Sequence, residues 1–287
     1  MPSPLVPHAL STKPDLEDAA RRWAAFLAGD LIDRPIVMVT APWPDAPRAA
    51  EITYRDQQFG DIDALLDQVI AGAVGTYHGG EDVPSFAPNF GPDMIAVLCG
   101  GQFRWSAGSD YTCWAEPIVQ DWRETLPFGL QHDHPLWLRM LRFYERAAQR
   151  LEGIALLREP DLVTNLDLLA GLRGPERLCA DLLDQPEVID EAMACARAVF
   201  RDLWSTVVRV GKLDERGYYH ALYAPDGAAL LQCDFSYLIS PALCRSHTSG
   251  TATISTCTSA CRRAARPSRS GASPQRCNAS TAICAPS

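Results

Sequence analysis

The sequence predicts an α/β fold: an incomplete (β/α)8 TIM-type barrel with an N-terminal helical extension and a disordered C-terminal tail. Three observations predict it. Apolar or β-branched runs of strand length alternate with stretches whose apolar residues recur every three or four positions, the pattern of strand–helix units around a parallel sheet. No G-x-G-x-x-G follows any strand candidate, which disfavours an open dinucleotide-binding sheet and favours a barrel. The composition then changes abruptly near Cys244. The chain accordingly divides into a disordered N-terminus at 1–14, a partial barrel at 15–243 and a disordered tail at 244–287.

The elements follow in order. Ser11 or Thr12 is expected to cap a first helix on which Ala19, Trp23, Phe26 and Leu27 recur at helical spacing and which Gly29 stops. Asp33-Arg34-Pro35 then launches Ile36-Val37-Met38-Val39-Thr40, expected as the first barrel strand, covered on both faces. Pro42, Pro44 and Pro47 interrupt the chain before Ile62, Leu65, Leu66, Val69, Ile70 and Ala73 mark a second helix. Glycines and prolines cut residues 79–132 into short pieces, with a small helix at 92–99 and an antiparallel ribbon at 102–119. An amphipathic helix at 135–151 precedes a strand at 154–157, and a further strand at 163–169 leads into Gly171-Leu172-Arg173-Gly174-Pro175. Pro175 starts a helix at 175–184, and Pro186 opens a long one reaching about 210. Strands at 218–223 and 228–233 complete the readable part.

Composition limits the function. The 287 residues are 47% hydrophobic, enough for a sizeable core, and the net charge of −9 gives no electrostatic support for a nucleic-acid partner. No run of eighteen apolar residues exists and the first residues lack the layout of a signal peptide, so a cytoplasmic protein with no membrane partner is expected. Of ten cysteines, Cys99, Cys113, Cys179, Cys195 and Cys233 lie singly among apolar neighbours, as reduced structural thiols do. The other five fall in the tail. There Ser, Thr, Ala, Arg and Cys supply 34 of 44 residues, with no Asp, Glu, Lys, Leu or aromatic, a vocabulary that cannot bury a core. Its six arginines leave −15 to residues 1–243, and a frameshift in a GC-rich coding region is the leading explanation. A basic arm, or a zinc site from Cys257, Cys261, Cys277 and Cys284, is the lesser alternative.

A barrel places chemistry at the carboxyl ends of its strands, which selects the polar residues found there. Asp234 closes an apolar strand and is read as catalytic, with an N-cap or buried ion pair as the alternative. Gln232 shares its face by strand alternation and is read as substrate-binding, with a structural role as the favoured alternative. His220, beside Tyr218 and Tyr219, is suited to proton transfer or simply to a satisfied polar contact. Asn165 and Asp167 close another strand and either hydrogen-bond a polar substrate or cap a helix. His132, Asp133 and His134 have the look of a metal cluster but are read as a solvated loop before Pro135, and Asp121-Trp122 as part of a lid or as aromatic packing.

Two stretches carry a resemblance to a known family. Residues 226–234, Asp-Gly-Ala-Ala-Leu-Leu-Gln-Cys-Asp, followed by Ser240-Pro241, resemble the "GAD-a-aqlfDSWAG…SPe-F" segment of the uroporphyrinogen decarboxylase superfamily. Residues 165–174, with the leucines that follow and Pro186-Glu187, are similar to its "PfTLasYlieG…ll…dPE" block, and the region from Trp114 to Trp122 to its acidic and aromatic segment. The resemblance covers about residues 20–243. It implies a barrel enzyme acting on a carboxylated small molecule, a carboxy-lyase with no cofactor and a homodimer in the intact family; with the strand-end residues, the expected site has Gln232, Asp167, Asn165, Asn89 and Tyr219 as substrate-binding and Asp234 and His220 as catalytic residues. The family's arginine signature is replaced by Thr40-Ala41-Pro42-Trp43, its aspartate falls near Asn89, its tyrosine near Ala170 and its serine near Phe235. The superfamily also contains zinc-dependent methyltransferases that use a corrinoid protein as partner, whose zinc ligands lie in the region the tail replaces. A non-catalytic pseudo-barrel is the third reading, and the chain as it stands is expected to be inactive and poorly soluble.

Overall fold

The computed structural model describes residues 9–46 and 50–215. Among the described residues helices dominate, six short strands form three two-stranded sheets, and there is no closed barrel. The strands expected at 218–223 and 228–233 and the tail lie outside the described residues.

Helix α1 (Leu16–Leu27) buries Leu16, Ala19 and Trp23 and carries Glu17 and Asp18 in its first turn, where the helix dipole favours negative charge. Its N-cap is Asp15, not Ser11 or Thr12. Those two hydroxyls instead donate to the carbonyls of Gly153 and Ile154, tying the N-terminal turn to a distant loop. Strand β1 (Met38–Pro42) overturns the expectation of a covered parallel strand: all five residues are exposed, and its partner β2 (Thr76–Gly80) runs antiparallel, Met38 opposite Gly80 and Pro42 opposite Thr76. A continuous β-branched run signals extended backbone, but not how many faces are covered. Between them lie α2 (Tyr54–Phe59), with a capping box of Thr53 and Asp56, and α3 (Ile62–Val74), capped by Asp61.

The one parallel pair among the described residues joins β3 (Ser85–Phe86) to β6 (Leu156–Leu157). Between them come α4 (Met94–Leu98), the antiparallel ribbon β4 (Phe103–Trp105) with β5 (Cys113–Ala115), the short α5 (Trp122–Thr125) and α6 (Pro135–Arg150), and all but α5 fall within the spans expected. The expected strand at 163–169 is instead the entry to α7 (Leu166–Arg173), because Leu166, Leu169 and Leu172 make a helical stripe that a short apolar run conceals. Helices α8 (Pro175–Asp184) and α9 (Pro186–Gly211) each start at their proline. The main core packs α6, through Trp137, Met140, Phe143 and Tyr144, with Ile189, Ala192, Ala196, Val199, Leu203 and Val207 of α9 and the apolar residues of α4 and α7. No helix among the described residues is long and apolar enough to cross a membrane.

Two buried carboxylates organise the packing. Glu81, with no side-chain exposure, receives both guanidinium nitrogens of Arg34 at 2.6 Å and the Val37 amide at 2.9 Å, with Arg22 at 3.6 Å. Burial pushes its carboxyl up, but Arg34, the amide and Arg22 more than offset this and hold it below the usual range. Asp181 on α8 accepts from Trp122 Nε1 (2.8 Å), Arg173 Nε (2.6 Å) and Gln185 Nε2 (2.9 Å), joining α5, α7 and the α8–α9 turn. Trp122 is therefore packing, with Asp121 capping α5, and not a lid. Replacing Glu81 with Gln should lower unfolding free energy by about 2 kcal/mol, since the buried side chain loses its charge-assisted hydrogen bonds from Arg34, whose own guanidinium is exposed; urea titration measures it.

The His-Asp-His sequence separates in the fold. His132 Nε2 lies 3.0 Å from Asp202 at the surface, whereas His134 caps α6, its Nδ1 accepting from the Leu136 amide at 3.2 Å. An imidazole that accepts at Nδ1 must be neutral, and burial lowers its pKa, with Asp133 and the Gly101 backbone opposing. A histidine pKa lowered by folding gives stability that is complete above about pH 6.5 and is lost as pH falls below it. His134→Asn, which caps without titrating, should remove that acid-side loss, so that its melting temperature falls less than the wild type's between pH 8 and 5.

Candidate functional site

Because β3 and β6 are parallel, the loops that leave them project in one direction. The end is built from backbone upward. Leu156 N donates to Pro84 O at 2.9 Å and Arg158 N to Phe86 O at 2.8 Å, so pairing stops at Phe86 and Arg158. The loop after β3 is held from α2: the Asn89 amide donates to Gln57 Oε1 at 2.8 Å, and Gln58 donates to the Phe90 carbonyl at 2.5 Å. Both glutamines are buried, and Arg139 of α6 holds α2 by donating to the Gln57 and Gly60 carbonyls. The loop after β6 is held by Tyr144, whose buried hydroxyl donates to the Arg158 carbonyl at 2.9 Å. Burial, with the Glu159 charge nearby, keeps that phenol protonated far above its ordinary range.

Of the residues singled out in the sequence, Asn89 lies in the loop after β3, and Asn165 and Asp167 lie at the start of the helix that follows β6. Asn89 follows β3, and its Oδ1 accepts from the Gly91 amide at 3.0 Å. Asn165 and Asp167 do not close a strand: Asn165 occupies the N-cap position of α7 and Asp167 its first turn. The Asp167 amide donates to the Thr164 carbonyl at 3.3 Å across a tight turn. Asn165 sits there at φ 59° and ψ −127°, a conformation that favours glycine, and its side chain does not cap the helix. Asp234, Gln232, His220, Tyr219 and Tyr218 lie outside the described residues.

Sequence reasoning missed three residues. Thr164 is buried, and its hydroxyl has no hydrogen-bond partner among the described residues. Glu159, two positions past β6, is buried beside Tyr144. Asp93, at the N-cap position of α4, has left-handed backbone (φ 56°, ψ 16°) and a carboxyl raised in pKa by burial, lowered only by the Ala115 amide at 3.4 Å. Proline punctuation was the available signal: Gly91-Pro92-Asp93 and Glu159-Pro160 both mark a chain leaving a strand. The thiols nearby are inert. Burial pushes Cys113 up to about 11, Asp93 adding to it, and Cys99 up to about 12, with Cys195 adding. Cys99, Cys113, Cys179 and Cys195 are all free, and among the described residues no three of His, Cys, Asp or Glu are grouped to hold a metal ion.

A buried hydroxyl without a partner costs about 1–3 kcal/mol. Thr164→Val, which keeps the shape and removes the hydroxyl, should therefore raise stability by about 1 kcal/mol in denaturant titrations.

The chain matches no protein-family model, no curated protein and no solved structure.

Proposed function

We propose that this protein is uroporphyrinogen decarboxylase-like: a barrel-type scaffold that binds a carboxylated small molecule at the carboxyl ends of β3 and β6. Carboxy-lyase chemistry is the activity of the intact family, and this chain binds without turnover. The parallel pair β3–β6 carries the reading, because its two strands are joined through α4 and α6 and send Asn89, Arg158, Asn165 and Asp167 beyond one end. Arg158 contributes positive charge there. Asn89, Asn165 and Asp167 are the substrate-binding residues of this half of the site; Gln232, Tyr219, His220 and Asp234 belong to the part read from motif resemblance alone. Residues 244–287 stand where the remaining strand–helix units of such a barrel would come, and their composition cannot bury a core, which is why turnover is not expected.

The test is a tryptophan-fluorescence titration of the full chain with uroporphyrin III, an octacarboxylate, against octaethylporphyrin, which has no carboxylate. Saturable quenching by the first alone, no carbon dioxide released from uroporphyrinogen, and less than stoichiometric zinc by mass spectrometry are the expected results. Failure of uroporphyrin to bind overturns the reading. One zinc per chain would move the assignment to methyl transfer.

A further inference from the structure

An antiparallel sheet with one covered face ordinarily carries polar residues on the other. The ribbon of β1 and β2 does not. Its register places Thr40 opposite His78 and Ala41 opposite Tyr77, and the flanking bonds from Glu81 N to Val37 O and from Trp43 N to Gly75 O continue that register beyond both ends of β1. By strand alternation Val37, Val39, Ala41 and Trp43 therefore share one face with Tyr77, and Thr40 shares the other with His78. The His78 face is covered at β2: that side chain is 10% exposed, with Nδ1 2.6 Å from Asp82. The opposite face is open, Val37, Val39, Trp43 and Tyr77 each being between 45% and 49% exposed. These side chains form one surface. The Trp43 and Tyr77 rings meet at 5.3 Å, and Tyr77 lies so close over Gly79, the residue opposite Val39, that a Cβ there would stand 2.7 Å from its ring. Two half-exposed aromatic rings and two valines leave on the order of 400 Å² of contiguous apolar surface, the size that marks an interaction site.

We propose that this face is the contact of a weak homodimer, in which the same ribbon of a second copy packs on it antiparallel about a two-fold axis. The inference is independent of the functional reading above. Charge selects the occupant. Residues 35–44 and 68–80 contain no Asp, Glu, Lys or Arg, in a chain whose net charge is −9. Two copies that repel each other at long range thus meet here without a like-charged pair in the contact. The ends of the strand select the direction. Arg34 precedes β1 with its side chain 40% exposed, and Asp45 follows β1 and is exposed. Packed antiparallel, the Arg34 end of one copy meets the Asp45 end of the other; packed parallel, each Asp45 would meet its own counterpart. The face also has the composition of an interface core, rich in aromatic side chains and free of charge. A two-fold contact uses the same surface on both copies, so association stops at two. At about half of the roughly 800 Å² that each partner of a stable complex buries, the affinity belongs in the micromolar range.

The experiment is sedimentation equilibrium of the full chain from about 1 to 100 μM, with circular dichroism establishing that each variant folds. The wild type should fit a monomer–dimer equilibrium of a 31.4 kDa chain. Val39→Lys, which sets like charges across the axis, should raise the dissociation constant about a hundredfold. Val39→Thr, of the same shape and suited to a strand, should raise it about tenfold and carries the comparison if the lysine variant does not fold. Asp45→Asn should raise it about threefold. Leu183→Glu on α8 and Phe59→Glu on α2, at apolar side chains 70% exposed elsewhere on the surface, should leave it unchanged. Open-ended association, equal weakening by Leu183→Glu, or tightening by Asp45→Asn overturns the inference. So does a wild type that stays monomeric; hydroxyl-radical footprinting then assigns the face to a segment of the same chain if Trp43 and Tyr77 are protected, and to no occupant if both react.

Discussion

A parallel pair two residues long cannot hold its own loops, and the loops leaving β3 and β6 keep their places because side chains from α2 and α6 hydrogen-bond to their backbones. Gln57 and Gln58 hold the segment from Asn89 to Phe90, and Tyr144 holds Arg158. Each of these bonds is made by a buried side chain, where a lost partner would leave a polar group unsatisfied. Arg139 links the two supports, donating to α2 while its guanidinium lies 5.9 Å over the Phe143 ring on its own helix. Helix α6 thus presents one face to α9 as core and uses the edge of that face, Arg139 and Tyr144, to position the candidate site. The same amphipathic stripe that buries apolar area sets the site's geometry.

Environment gives three carboxylates two different roles. Glu81 and Asp181 are both desolvated, and each is surrounded by cationic or N–H donors, so they remain ionised and join elements far apart in sequence. Asp93 is desolvated without a cation, so burial acts almost unopposed. Glu81 illustrates the first case further: Trp23 Nε1 donates to its backbone carbonyl, while the buried Lys13 ammonium donates to the carbonyls of His78 and Gly80. The N-terminal turn, α1 and β2 are thereby joined by polar contacts where the apolar cluster of Leu10, Leu16, Trp23, Val83 and Leu156 is small.

Sequence patterns predict the helices far better than the strands. Long amphipathic stretches with proline starts, such as α6, α8 and α9, encode both period and boundary, and the elements agree. The strands are two to five residues long, too short for alternation to register, and their pairing direction depends on partners a linear pattern does not name. Residues 163–169 resemble a strand because the four leucines and one valine within residues 163–172 fit either period. The same limit applies to the site. Asn89, Asn165 and Asp167 are visible because loops after strand candidates attract notice, but the strain at Asn165 and the turning of Asp93 away from its helix are tertiary facts.

Local costs concentrate in the two segments that follow β3 and β6. Asn165 in a glycine-favouring conformation, Asp93 in left-handed backbone and the unpartnered Thr164 hydroxyl each cost on the order of 1–3 kcal/mol, against a whole-domain stability of about 5–15 kcal/mol. Such features persist only where surrounding packing over-determines them, and here it does: Gly171 is locked against Ala96, and Asp181 fixes Arg173 at the far end of α7. Elsewhere the non-glycine residues at positive φ are exposed, Asp33 being compensated directly by Arg22. Strain retained in the interior, beside the carboxyl ends of the one parallel strand pair among the described residues, is unexplained by folding alone. It has a rationale if a bound ligand supplies the missing partners, and the functional proposal rests on that asymmetry as much as on the direction of β3 and β6.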